Sequence, residues 1–497
     1  MGGTGAEAQA RQGRRPRIAI LGAGIAGLCM AIGLARAGHR DFILFEKDGD
    51  LGGTWRDNVY PGAACDVPSH LYSFSFAPNP DWSHVYASQP EILAYIRAVA
   101  GEYRIGPHIR FNTPLVSAVF DEGRSVWVLT EDCGARHEAD IFIAGSGQLN
   151  APLIPDLPGL ESFRGPAFHS ARWDHACDLA GKRVAVIGTG ASAVQFVPAI
   201  AGTAAQVDVY QRTPPYVIPR KDRPYTRFEK AMFRRLPWLQ RLYRDFIYWR
   251  LDLNFQAFRA GTRFAEKMRQ RALDHLAEQV ADPALRAALT PDYPVGCKRV
   301  LISDDYYPAL QRPDVALLTA PIERITPGGV VTRDGSERPA DVIIYGTGFR
   351  TLDFLAPVRI LGAGGAELHA RWRDGAQAYY GMTVAGFPNF FLLYGPNTNL
   401  GHNSIIFMIE CQCRYVLACL AEMRSKGWAR MEVRPEAEAA FNAELQNALA
   451  ETAWAGDCRS WYKSPSGRIV NNWSGSTADY ARQTRTPRFA DFNTRPA

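Results

Sequence analysis

Two stretches of this sequence place glycines where a chain can cradle a pyrophosphate. Residues 17–47 hold an apolar run from Ile18 to Leu21, then Gly22-x-Gly24-x-x-Gly27, a small-residue helical pattern and a second apolar run ending at Glu46. Gly22 permits a tight turn, Gly24 lets the backbone approach the pyrophosphate, and Gly27 lets the helix lie close to the strand. The helix N-terminus adds free N–H groups and the positive end of a dipole. Residues 182–212 repeat the design, with Gly188-x-Gly190-x-x-Ala193 after the apolar run Val184 to Ile187. Thr189 and Ser192 within that loop, and Thr213 beyond it, are counted with its cofactor contacts.

The two units differ at one offset. Glu46 follows Gly22 by 24 residues, and Arg212 follows Gly188 by 24. A carboxylate there accepts from ribose hydroxyls, whereas an arginine can pair with a 2′-phosphate that an acid would repel. The first unit is therefore expected to take FAD and the second NADPH, with a hydride passing between them. A solvated surface role for Arg212 stays open.

Elements must bring these loops together. The chain has 497 residues, a net charge of +6, 47% hydrophobic and 21% charged residues, ordinary values for a globular protein of roughly three domains. Two segments echo each other, at 139–147 and 340–348. No helical pattern follows either, so both read as strands ending where the chain crosses between domains. The expected architecture is α/β, with two Rossmann-like dinucleotide-binding domains, the second inserted into the first. The FAD domain spans 17–148 and 384–497. The NADPH domain spans 149–219 and 295–383, and 220–294 is a helical lid insertion. Residues 1–16 read as a disordered leader. Residues 220–271 carry 15 Lys/Arg against 5 Asp/Glu and many aromatics. We read this stretch as an amphipathic lid with a solvated basic face, rather than a membrane-surface or nucleic-acid patch.

Nine cysteines are scattered without a C-x-x-C pair, which predicts reduced thiols, a cytoplasmic protein and no disulfide staple. No His/Asp/Glu cluster has metal-ligand spacing, so no metal is expected. Ile18 to Ala37 is apolar enough to suggest a membrane segment, but its motif-spaced glycines favour the soluble reading. No nucleic-acid partner and no stable membrane insertion are expected.

Two further motifs narrow the chemistry. Gly52, Gly53, Trp55, Tyr60, Pro61, Gly62 and Asp66 stand in the order [A/G]-G-x-W-x-x-x-x-[F/Y]-P-[G/M]-x-x-x-D. Phe163, Gly165, His169, Trp173 and Asp174 meet F-x-G-x-x-x-H-x-x-x-W-[P/D]. With these residues the chain resembles, over about residues 15–480, the type I Baeyer–Villiger branch of the flavin-containing monooxygenases, which are class B flavoprotein monooxygenases. The resemblance implies that NADPH reduces FAD, that the reduced flavin and dioxygen give a flavin 4a-peroxide, and that this converts a ketone to an ester or lactone. Sulfoxidation is implied as a side activity.

By the same resemblance Lys298 helps hold the 2′-phosphate and Arg299 is catalytic. The physics fits: a peroxide that must stay deprotonated needs a positive neighbour, and arginine does not readily give up its proton. Arg299 can also stabilise the oxyanion developing on the former carbonyl. Asp66 can hold the guanidinium, provided two domains close over one cleft. A turn or cap role for Asp66 and a phosphate-only role for Arg299 stay open. Gly53, Thr54, Trp55 and Tyr72 are placed beside the flavin, although Trp55 could be core. Trp473 is counted with the cofactor contacts, with packing as the alternative. His169 is read as coupling domain movement, and His402 and Asn403 as a structural helix cap.

The implied reactants are a small-molecule ketone and dioxygen, on a monomer or weak homo-oligomer. The alternatives are a nitrogen- or sulfur-oxygenating flavin monooxygenase and an NADPH oxidase releasing hydrogen peroxide. A disulfide reductase is disfavoured by the missing cysteine pair. A non-catalytic flavin sensor is disfavoured by the intact loops.

Overall fold

The computed structural model describes residues 15–458 and 460–496. Apart from residues 15 and 16, the expected leader lies outside them. Two five-stranded parallel sheets dominate. The first is ordered Phe390–Leu392, Ile141–Ala144, Ile18–Leu21, Phe42–Phe45, Ile109–Arg110. The second is ordered Val315–Leu318, Gln206–Tyr210, Arg183–Ile187, Val342–Tyr345, Ala167–His169. Their central strands are near-continuous β-branched and aromatic runs, as burial on both faces demands.

The two sheets are built alike. Ile18–Leu21 is flanked by Phe42–Phe45 and by Ile141–Ala144; Arg183–Ile187 is flanked by Gln206–Tyr210 and by Val342–Tyr345. The echoing segments thus join the sheets of their glycine loops. Gly145 donates its N–H to Leu21 O at 2.8 Å, and Gly346 donates to Ile187 O at 2.9 Å. Around them, Leu115–Asp121, Val126–Glu131, Arg136–Ala139 and Arg359–Leu361 form a four-stranded sheet.

The long helix Ile405–Lys426 packs against the helix Ile25–Arg36, whose Gly33 faces Leu417. No helix among the described residues is long and apolar enough to cross a membrane.

The stretch expected as a lid is helical, over Arg227–Arg235, Pro237–Leu253, Arg263–Gln279 and Pro283–Ala288. Along Pro237–Leu253 Ile247 is buried, Leu239 and Tyr243 pack on the core, and Arg241 and Arg250 are exposed, as expected. Its inward side also carries polar groups: Gln240 Nε2 reaches Asn79 O at 2.7 Å, Arg244 Nη1 reaches His70 O at 2.7 Å, and Asp252 accepts from Thr477 N at 2.8 Å. Its outward side carries Trp238, Leu242, Phe246 and Trp249 in solvent. Helical periodicity reveals that a stripe exists. It does not reveal which stripe faces the protein when inward polar groups find partners.

Candidate active site

Gly22 adopts φ +93°, and a Cβ on Gly27 would lie 1.9 Å from Gly22 O, so the helix Ile25–Arg36 can sit this close only on glycine. Gly24 caps that helix without a side-chain hydrogen bond, which leaves first-turn N–H groups for a ligand. A second glycine faces it. Gly53, at φ +53°, would bring a Cβ to 3.2 Å from Gly24 Cα. Side chains at either position would fill the space between the two backbones. Glu46 is buried and anchors the loop, its Oε2 accepting from Ala23 N at 2.8 Å. Its Oε1 accepts from Arg56 Nη1 at 3.0 Å. Beside this loop Thr54 is exposed on a short turn, Thr54–Asp57, and Trp55 Nε1 donates to Tyr72 OH at 3.0 Å.

The second loop repeats the geometry. Gly188 has φ +104° and faces Gly346 O, and Gly190 caps the helix Ala191–Ile200 with no side-chain hydrogen bond. Ala193 serves at the third position because its Cβ faces Gly346, where no side chain competes. Thr189 Oγ1 donates to Thr213 O at 3.3 Å, tying the loop to the segment after the next strand. Arg212 is exposed on that segment. Lys298 lies close enough that Arg212 lowers its pKa, second to burial, and its ammonium sits 4.6 Å from the Tyr293 ring centre. Neither cation forms an ion pair among the described residues, so a doubly charged anion would relieve a repulsion already present.

Between the two loops runs the segment 60–66. Gly62, at φ +80°, lets it lie on the helix Ala191–Ile200: a Cβ there would come 2.6 Å from Gln195 O. The Gln195 side chain completes the join, accepting from Tyr60 OH at 2.9 Å and donating to Ala64 O at 3.0 Å. This docking carries Asp66 to the second unit. There Arg299 Nη2 donates to Asp66 Oδ2 in a half-buried ion pair. The Asp66 charge raises the Arg299 guanidinium further above its ordinary pKa, against the opposing effect of burial.

Two tyrosines complete the surroundings of Arg299. Burial raises Tyr394, and it pushes Tyr462 up to about 12, with Arg299 pulling each downward. Tyr394 OH donates to Asn399 Oδ1 at 2.7 Å, and Asn399 Nδ2 donates to Asn472 Oδ1 at 2.7 Å. Sequence reasoning missed Gln195, Tyr394, Tyr462 and both asparagines. They come from three separate segments, and no local spacing marks them.

Other expected residues lie elsewhere or do other work. Trp473 is 3% exposed, packs edge-on against Tyr480 and donates to Ser476 O at 3.1 Å. In the FxGxxxHxxxW motif, Gly165 permits contact with Asp341 O, and Trp173 packs on Phe168 and Phe196. His169 ends its strand against Phe349, and burial lowers its pKa to about 4. Burial thus favours its neutral form. His402 and Asn403 precede the helix Ile405–Lys426, and Asn403 Nδ2 reaches Asp252 Oδ1 at 3.2 Å.

The expectation of reduced thiols is overturned at two positions. Cys297 and Cys458 form a disulfide with Cα atoms 6.4 Å apart. They are separated by 161 residues, so no local pattern could mark the pair. Cys411 and Cys413, on one helix, form no disulfide. Among the described residues no group of three His, Cys, Asp or Glu could hold a metal.

Two glycine loops of the dinucleotide-binding kind, with the Arg299–Asp66 pair between their units, define a two-nucleotide oxidoreductase class. The flavin-binding monooxygenase-like family model matches residues 15–356. A Baeyer-Villiger monooxygenase of Pseudomonas aeruginosa is 44% identical over 95% of this chain and 90% of its own. Another, from Streptomyces coelicolor, is 43% identical over 97% and 93%. The crystal structure of OTEMO in complex with FAD and NADP superposes with a TM-score of 0.86 at 28% identity, over 97% of this chain and all of that one. The chain belongs to the flavin-binding monooxygenase-like family, in its Baeyer–Villiger monooxygenase branch.

Proposed function

We propose that this enzyme uses NADPH and dioxygen to convert a ketone to an ester or lactone, with the Arg299–Asp66 pair at the reacting centre. The observation that carries this reading is that pair, held across the cleft between the two glycine loops. The Gly24–Gly53 gap and the uncapped helix fit an FAD pyrophosphate, and Glu46 beside them fits its ribose. Gly188, Gly190, Ala193 and Ser192 fit the NADPH pyrophosphate, and Arg212 with Lys298 fits its 2′-phosphate. When bound here, FAD would supply the redox chemistry, carrying two electrons from NADPH to dioxygen.

The chain's own residues supply the rest. Arg299 keeps a fixed positive charge and donor fork where negative charge develops on the former carbonyl oxygen. Asp66 fixes the guanidinium plane and balances its charge. Tyr394 and Tyr462 stay protonated near neutral pH and present neutral hydroxyls. We assign 17–148 and 384–497 to FAD, and 149–219 and 295–383 to NADPH.

The test is incubation of the purified enzyme with NADPH and isotopically labelled dioxygen, offering linear, cyclic, aryl and steroid-like ketones plus a sulfide. One labelled oxygen in an ester or lactone is expected. Label only in sulfoxide would favour a sulfur-oxygenating enzyme, and label only in hydrogen peroxide an oxidase.

A further inference from the structure

Besides the apolar residues it packs on the core, the helix Pro237–Leu253 carries an apolar stripe that points away from the protein. Trp238, Leu242, Phe246, Trp249 and Leu253 recur every three or four residues, each more than half exposed. Phe228 on the preceding helix and Phe264 on the following one extend the same exposure. Eight of the twelve large hydrophobic side chains exposed among the described residues lie between 228 and 264, so this is one cluster and not ordinary scatter.

The helix cannot roll to bury this stripe. Gln240, Arg244 and Asp252 on its inner side are bonded to Asn79, to His70 and Ser73, and to Thr477 and Asn403. Rotation would break every one of these bonds and bury the freed groups at a cost.

Cations frame the stripe. Arg241 and Arg250 are exposed on the same side, and Arg227, Arg235, Arg263 and Lys267 are exposed on the flanking helices. None of these six forms an ion pair among the described residues. Asp245 is the one exposed acid on the outer side of Pro237–Leu253. Tryptophan and phenylalanine on one helix face with arginine at the margins match an anionic bilayer surface, where the rings enter the headgroup boundary and the cations meet lipid phosphates. A second copy of this chain would bring the same arginines face to face. Nucleic acid would leave Leu242 and Leu253 without apolar contact.

We propose that the outer face of residues 227–267 docks the enzyme on an anionic phospholipid bilayer, as a peripheral contact without a spanning segment. The test uses the full-length enzyme with its cofactors, sedimented with vesicles of phosphatidylcholine alone or with roughly one third phosphatidylglycerol. Pelleting with the anionic vesicles, reversed by high salt, and a blue shift of tryptophan emission are expected. The triple variant Trp238→Ser/Phe246→Ser/Trp249→Ser should lower vesicle binding by at least about tenfold. The charge-reversed Arg235→Glu/Arg241→Glu/Arg250→Glu should do the same, by way of lost lipid-phosphate attraction. Both variants should keep wild-type turnover of a water-soluble ketone, which checks their folding. No pelleting with either vesicle overturns the proposal, as does pelleting that the triple variant leaves unchanged. A concentration-dependent dimer abolished by the triple variant would give the stripe to a second copy. Oligonucleotide binding lost in that variant, without vesicle binding, would give it to nucleic acid. Either result overturns the bilayer.

Discussion

Arg299 donates to Asp66 across 233 residues of sequence, because the segment 60–66 is docked through Gly62 and Gln195 onto the helix of the second glycine unit. Arg299→Ala should still allow NADPH to reduce the flavin, while ester formation falls by about 100-fold or more. Asp66→Ala should fall by a smaller factor and release more peroxide per NADPH consumed, since the guanidinium is then unfixed. Stopped-flow flavin absorbance and product analysis separate the two half-reactions. Retained ester formation in Arg299→Ala would remove its assigned role.

Burial and Arg212 lower the pKa of Lys298 while Asp292 raises it, and neither cation forms an ion pair among the described residues. Arg212→Ala and Lys298→Ala should each lower the preference for NADPH over NADH by about 10- to 100-fold, the range for a lost charged hydrogen bond. The loss should fall on KM for NADPH, with kcat for the reduced enzyme nearly unchanged. Steady-state kinetics with both nucleotides checks this, and an unchanged preference would take the residue out of the phosphate site.

His70 is enclosed by Tyr225, Phe233 and Tyr243, accepts from Gln240 Nε2 at 3.1 Å, and has its pKa lowered to about 4 by burial, with Arg244 adding to the effect. Its folded pKa lies below the unfolded value. Below about pH 6.5 the unfolded chain binds a proton that the folded one refuses, and stability falls as pH drops toward 4. His70 accounts for about 3 kcal/mol across that window. Denaturation midpoints between pH 7 and 4.5 should show this slope, and His70→Gln should reduce it by about one proton. An equal slope in the variant would exclude His70 as its source.

The Cys297–Cys458 bond ties the residue two before Arg299 to a segment four before Tyr462. Cys458→Ser, or reduction of the wild type, should lower stability by about 2–5 kcal/mol, as expected for closing a long loop. It should also raise KM for NADPH through Lys298. Peptide mapping with and without reductant, paired with thermal unfolding, tests both; free thiols at both positions in the unreduced enzyme would refute the bond.

The glycine loops were legible because their signal is local. A turn, a close approach and a helix start fall within six residues, and an acid or arginine follows at a fixed distance. The meeting of Asp66 and Arg299 was different. Each was marked by its motif, but what joins them is Gln195, a glutamine in a helix with nothing around it to distinguish it. Tyr394, Asn399, Tyr462 and Asn472 gather around Arg299 from loops whose path is set only by the completed fold. The disulfide was hidden by its separation. The lid was found as helices with a solvated basic face, yet its exposed aromatic stripe was not foreseen, because polar residues at 240, 244 and 252 go inward only when partners at 70, 79 and 477 await them.

All five strands of the second sheet fall between two neighbouring strands of the first, Ile141–Ala144 and Phe390–Leu392. On the ribosome, the inner sheet can therefore close before the outer one has its last strand. At bacterial or eukaryotic synthesis speeds, the about 250 residues between those two strands take roughly 12–50 s to appear. For that interval the apolar edge of Ile141–Ala144 has no partner and is open to pairing with another nascent chain. The nesting of one sheet within the other thus sets an interval, longer the slower the synthesis, in which this edge stays open.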